Sequence, residues 1–125
     1  MAVFGIGIDL VEVKRIREAM ESYGERFKKR VFTPREIEFC EGITDKYPSY
    51  AARFAAKEAF SKALGTGLRG RVSWQEIEIC DNERTRPTIK VSGKAAEILK
   101  DRKVHLSLSH IAHYAAAVVV IEEPE

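Results

Sequence analysis

The segment Lys57-Glu58-Ala59-Phe60-Ser61-Lys62 gathers cations, a carboxylate and a hydroxyl within two helical turns. On a helix, Lys57 and Ser61 stand one turn apart, as do Glu58 and Lys62, and Arg53 lies one turn before Lys57. They read as a polar arc opposite an apolar stripe of Ala52, Ala56, Ala59, Phe60 and Ala63. A solvated face with an ordinary Glu58–Lys62 pair is enough to explain that spacing. Asp9 adds chemistry to it. This carboxylate interrupts the apolar, glycine-flanked run from Val3 to Val11, where leaving it unpartnered would be costly. A core-facing arginine would satisfy it, and so would a metal. A hard divalent cation between Asp9 and Glu58, keeping several waters, would suit a substrate rich in phosphate oxygens. Lys62 would then neutralise charge on the same phosphates.

Other candidates are set aside on context. Gly65-x-Gly67-x-x-Gly70 matches the dinucleotide-binding spacing, but here a helix ends where that motif needs one to begin. Read as a P-loop, the run continues Gly70-Arg71-Val72 and lacks the magnesium-binding hydroxyl. It reads instead as a helix stop and loop, whose backbone N–H groups could still approach an anion. His110 closes "LSLSH" and could meet a phosphate or serve as a hydrogen-bonded structural histidine. His110 and His113 do not share a face, which argues against zinc. Ser107 and Ser109 have no acid partner at a recognisable spacing, which argues against a hydrolase triad.

These residues need elements to hold them. Val3–Val11 reads as a buried strand, its Gly5 and Gly7 permitting close backbone approach. A helix follows from about Glu12, with Ile16, Ala19, Met20 and Tyr23 on its apolar side and Gly24 ending it. "RFKKRVF" reads as a short helix or turn, and Thr33-Pro34-Arg35-Glu36 as a capping box opening another helix. The longest helix starts at Pro48 and stops at Gly65. "WQEIEIC" and "PTIKVS" read as strands flanking the turn cluster "DNERTR". A short helix around Ala95–Leu99 precedes a final hairpin turning near Ile111–His113. The class is α+β with an antiparallel sheet, in a single domain spanning 1–125.

A net charge of +2 gives no reason to expect a nucleic-acid partner, and aromatics are not interleaved with the basic residues as RNA stacking requires. The N-terminus lacks a charged leader pattern and no apolar run reaches membrane-spanning length, so a cytoplasmic protein is expected. Cys40 and Cys80 fit neither a metal site nor a disulfide framework and read as buried reduced thiols. Two basic clusters, Lys14-Arg15-Arg17 and Arg26-Lys28-Lys29-Arg30, serve either solubility or the docking of an acidic partner.

Three segments, "GIGIDLVEVKRI" (Gly5 to Ile16), "FAAKEAFSKALGTG" (Phe54 to Gly67) and "LSLSH" (Leu106 to His110), resemble holo-acyl-carrier-protein synthase. This family is the small bacterial type of 4′-phosphopantetheinyl transferase. "RVFTPRE" and "PTIKVSGKA" resemble its intervening segments, so the likeness runs over essentially the whole chain. It implies the transferase fold, an antiparallel sheet packed with one long central helix and shorter helices. It also implies transfer of phosphopantetheine from coenzyme A to a serine of apo-acyl carrier protein, releasing adenosine 3′,5′-bisphosphate, in support of fatty acid biosynthesis. By position, Asp9 and Glu58 correspond to magnesium ligands and Lys62 to a pyrophosphate-contacting lysine. Arg53, Lys57, Ser61, Gly65, Thr66 and His110 fall where the family surrounds coenzyme A. Arg15, with Lys14 and Arg17, lies on the helix that docks the carrier protein. The resemblance further implies a homotrimer with active sites between subunits. Thr85-Arg86 replaces the usual Gly-Lys before Pro87, and Ile111 replaces a polar residue after the Ser-His pair.

Two rival readings use the same residues. A magnesium-dependent nucleotide hydrolase also employs paired carboxylates. A non-catalytic binding module would explain the basic helices as a docking surface and leave Asp9 as a structural salt bridge.

Overall fold

A computed structural model of the chain describes residues 2–68, 71–82 and 85–125. Gly70 of the glycine run and Glu83-Arg84 of the turn cluster lie outside the described residues. The elements run β1 (Val3–Glu12), α1 (Val13–Tyr23), α2 (Glu25–Val31), α3 (Pro34–Glu41), α4 (Lys46–Leu64), a 3-10 turn (Trp74–Glu76), β2 (Ile77–Asn82), β3 (Thr85–Val91), α5 (Gly93–Leu99), β4 (Lys103–His110) and β5 (Tyr114–Glu122). The strands form two antiparallel sheets, β1-β5-β4 and β2-β3, with β5 central in the first. The expected α+β class, the element order and the hairpin turn at 111–113 are all present.

The sheet lays one face on α4. Ala115, Ala117, Val119 and Ile121 of β5 are buried, and the residues between them face outward. Against this face α4 presents Ala55, Ala56, Ala59, Phe60 and Ala63, all buried. The alanines keep the helix slim, and on the β1 side the strand reciprocates with glycine. A Cβ at Gly5 would run into the carbonyl oxygen of Ala63, and one at Gly7 into that of Ala59. Backbone therefore meets backbone along this seam, as the two glycines suggested.

One expectation is corrected. β1 is an edge strand buried on one face only: Ile6, Ile8 and Leu10 are 63%, 67% and 67% exposed. Glycine occupies inward positions 5 and 7, so Ile6, Ile8 and Leu10 point away from the core, and Val11 is the apolar side chain of β1 that packs against it. Tyr23, expected on the apolar side of α1, is also exposed, while Val13, Ile16 and Met20 are buried.

The helix boundaries follow local chemistry. Thr33 Oγ1 accepts from the Glu36 amide at 3.3 Å and the Glu36 carboxylate accepts from the Thr33 amide at 2.8 Å, completing the capping box. α4 begins at Lys46, with Pro48 inside its first turn, where a missing N–H is harmless. It ends at Gly65, whose φ of 89° is the left-handed cap position. Cys40 is buried, Cys80 only partly so, and both are free thiols.

Replacing Gly7 with valine would push a side chain into the Ala59 carbonyl, which belongs to helix backbone and cannot rotate away. We expect a loss of about 2–4 kcal/mol, within the range of severe overpacking, seen as a lowered midpoint in urea denaturation.

Candidate active site

The seam fixes what surrounds Asp9. Gly5, Gly7 and Asp9 share the inward face of β1, and the glycines contact successive turns of α4 in reverse order, Ala63 and then Ala59. Continuing that register carries Asp9 toward the α4 turn that runs from Ala55 to Glu58, and the long Lys62 side chain reaches back to it. The Lys62 ammonium lies 3.0 Å from Asp9 Oδ1 and also donates to the Ile8 carbonyl at 3.1 Å. Asp9 keeps 16% of its side-chain exposure and Lys62 51%, so the pair stands at the mouth of the seam. The cation that the sequence demanded for Asp9 is thus a lysine of α4. Glu58, half-buried, sits one turn before Lys62 on the same helix.

The polar arc expected on α4 is corrected. Arg53, Lys57 and Ser61 are 2%, 0% and 0% exposed and face the interior. Lys57 forms an ion pair with Glu36 at 2.6 Å and donates to the carbonyls of Val31 at 2.8 Å and Trp74 at 3.1 Å. Burial lowers its pKa, and the Glu36 charge opposes that shift. All three ammonium hydrogens have protein acceptors, so Lys57 is an anchor inside the fold and does not line the coenzyme site the sequence suggested. Ser61 donates its hydroxyl to the Glu58 carbonyl at 2.8 Å and presents nothing to a ligand.

The glycine loop is likewise turned inward. The amides of Gly65, Thr66 and Gly67 all donate to the Ser61 carbonyl, Gly65 also to that of Lys62, and the Thr66 hydroxyl donates to Gly67 O. These N–H groups cap α4 and leave no backbone cradle for phosphate at Gly65–Gly67.

Arg53 and His110 do come together, in a second place. They line a cavity of about 560 Å³ with Asp45, Ser49, Arg86 and Ser107. Arg53 donates to Ser49 Oγ at 2.8 Å, and its guanidinium lies 4.3 Å from the Phe39 ring centre. Arg86, the cation noted beside Pro87, joins the same cavity. Asp45, Ser49 and Phe39 escaped the sequence reading, because their only signal is proximity across α3 and α4. This cavity borders β4, whereas Asp9 lies on β1, and β5 separates the two strands. One chain therefore places these two groups at opposite edges of one sheet.

A third surface runs along α1 and α2. Lys14, Arg15 and Arg17 are exposed, with Arg15 3.3 Å from Glu12. Lys28 turns aside to Glu41 and Glu25. Arg26 and Arg30 rim a groove of about 480 Å³ floored by Ala19, Tyr23, Phe27 and Trp74. The aromatic floor went unrecognised in the sequence, where Tyr23 read as core and Trp74 as strand.

The chain matches the model of the 4′-phosphopantetheinyl transferase superfamily over residues 5–119. It belongs to that family. It is 45% identical to the holo-[acyl-carrier-protein] synthase of Koribacter versatilis over 124 residues, 97% of this chain and 99% of that one. Identity to the synthase of Chlamydia trachomatis serovar D is also 45%, over 96% of this chain and 100% of the relative. The synthase structure from Neisseria meningitidis superposes with a TM-score of 0.89 at 35% identity, covering 98% of this chain and 100% of that one. The Helicobacter pylori synthase in complex with coenzyme A superposes with a TM-score of 0.84 at 36% identity, covering 94% and 99%. As a member of this transferase family, the chain is an enzyme.

The Glu36–Lys57 anchor can be tested without substrate. Glu36→Gln should cost about 3–5 kcal/mol, since it leaves a buried ammonium without its counter-charge. The double variant with Lys57→Met should lose less than the two single losses added together, as read from urea denaturation of all four proteins.

Proposed function

We infer that the chain transfers 4′-phosphopantetheine from coenzyme A to a serine of apo-acyl carrier protein, yielding the holo form and adenosine 3′,5′-bisphosphate. The observation that carries this reading is the Asp9–Lys62 pair beside Glu58, in a chain similar over nearly its full length to holo-[acyl-carrier-protein] synthases. The products would serve fatty acid biosynthesis in the cytoplasm. No described helix is long and apolar enough to cross a membrane.

The donor set fits magnesium. Asp9 already holds a cation at 3.0 Å, and no group of three or more His, Cys, Asp or Glu is gathered among the described residues. Two carboxylates at a solvent-facing seam suit an ion that keeps waters and takes phosphate oxygens as further ligands. Asp9 and Glu58 would hold it. When bound, it would neutralise pyrophosphate charge and make the reacting phosphorus more electrophilic. Lys62 would offer its ammonium to the departing bisphosphate as negative charge grows there. As the serine oxygen bonds to phosphorus and the pyrophosphate bridge breaks, the hydroxyl proton must leave. The Glu58 carboxylate is one acceptor of suitable chemistry.

The cavity shared by Arg53, Arg86 and His110 suits an anionic portion of coenzyme A. Within one chain it lies across the sheet from Asp9, which supports a homotrimer in which one copy's β1 edge meets another's β4 edge. Ile6, Ile8 and Leu10, together with the outward Val118 and Val120, form the apolar face such a ring would cover. The groove floored by Tyr23, Phe27 and Trp74 and rimmed by Arg26 and Arg30 suits an acidic amphipathic helix. Lys14, Arg15 and Arg17 extend the same positive surface.

Mass spectrometry of apo-acyl carrier protein after incubation with the chain, coenzyme A and magnesium should show a phosphopantetheine mass increase. No increase, or bisphosphate release without any acceptor protein, defeats the transferase reading. Glu58→Gln should lower kcat by about a hundredfold or more with Tm little changed. Arg15→Glu should raise KM for the carrier protein roughly tenfold and leave KM for coenzyme A nearly unchanged.

A further inference from the structure

Lys62 makes two contacts that bear on what happens before any substrate arrives. Its ammonium lies 3.0 Å from Asp9 Oδ1 and 3.1 Å from the Ile8 carbonyl. Both acceptors are oxygens of the kind a hard cation would take. Asp9 is largely shielded, so its carboxylate gains from holding some positive charge at all times. Lys62 supplies that charge from a side chain that is half exposed and tethered only by its flexible stem.

We propose that Lys62 is a placeholder cation, occupying Asp9 until a divalent ion displaces it and frees the ammonium for phosphate. This rests on the reading of Asp9 and Glu58 as metal ligands. An ammonium on Oδ1 and a divalent ion on the same oxygen would sit within a few ångströms of each other, and their repulsion disfavours joint occupancy. One ammonium also cannot stay on Asp9 and Ile8 while turning its hydrogens to a pyrophosphate. Entry of the ion and departure of Lys62 are therefore one exchange.

Lys57 shows that the exchange belongs to Lys62 alone. It is wholly buried with three acceptors around its ammonium, whereas Lys62 has solvent on one side. The exchange also couples the two ligands. The divalent ion arms Lys62 for phosphate, and a phosphate-bearing ligand that draws Lys62 away opens Asp9 to the ion. The two ligands must then strengthen each other's binding by equal factors.

The test uses the whole chain without coenzyme A and follows Mn²⁺ by electron paramagnetic resonance. Lys62→Met, with Lys62→Gln as a second variant, should bind Mn²⁺ about two- to fivefold more tightly than wild type, the scale of losing a partly exposed ion pair. Asp9→Asn should lose this binding. In parallel, an NMR titration of the lysine side-chain signals with Mg²⁺ should shift Lys62 and leave Lys57 in place. If Asp9→Asn loses Mn²⁺ but the Lys62 variants bind it no better than wild type, the placeholder is overturned and the metal site stands. If affinity rises while the Lys62 signal stays still, the effect is general charge and the exchange is overturned. If Asp9→Asn binds Mn²⁺ as wild type does, the metal-ligand reading itself fails, and the placeholder with it.

Discussion

The closeness of β1 to α4 is the constraint on which the site depends. Gly5 and Gly7 lie against the Ala63 and Ala59 carbonyls with no room for a methyl group. Aspartate is a short side chain, and the close strand brings its carboxylate to 3.0 Å from an ammonium on the helix. A longer acid on a more distant strand could bridge the same gap, but it would carry more rotamers to freeze. The glycines, through the absence of side chains, hold the charge pair at one distance and one register. Gly65 then ends α4 one turn past Lys62, and the capping amides that follow are turned back onto the helix.

α4 carries two lysines five residues apart with opposite physical situations. Lys57 is sealed in, its charge balanced by Glu36 and its hydrogens taken by carbonyls from α2 and the 3-10 turn. Glu36 in turn caps α3 through Thr33 and accepts from the Ile79 amide at 2.6 Å, so one carboxylate ties α3 and β2 to α4. Such a network favours one rotation of the helix over its neighbours, because any other rotation buries an unbalanced charge. That rotation is also the one that turns Lys62 toward Asp9. The immobile pair on one side of α4 thus supports the exchangeable pair on the other.

Features with a local cause were legible in the sequence. The Thr33–Glu36 capping box, the Gly65 stop and the hairpin at 111–113 follow from short-range rules, and each stands where expected. Asp9's need for a cation also follows from its own setting, although its partner's identity did not. The polar arc of Arg53, Lys57 and Ser61 misled because helical periodicity identifies a polar face without saying what packs on it. α4 is enclosed by the sheet on one side and by α1, α3 and β2 on others, so its polar face became an interior one. β1 misled in the opposite sense: its apolar residues suggested burial, but the glycines had already taken the inward positions. Glu36's three roles and the cavity around Arg53 depend on contacts between residues distant in sequence, where pattern reading has no signal.

The separation of the Asp9–Lys62 pair from the Arg53–His110 cavity follows from the same geometry. Arg53 and Lys62 are separated by nine residues of helix, about 13 Å along its axis, and Asp9 and His110 by the full width of β5. Both groups sit on α4, toward opposite ends of the same helix. An edge strand with three large aliphatics on its open face is exposed to wrong associations, and a closed ring of copies removes that exposure while bringing unlike edges together. In such a ring the arginine–histidine cavity of one copy and the carboxylates of the next would face a common cleft. Covering the apolar face and completing the site would then be a single event.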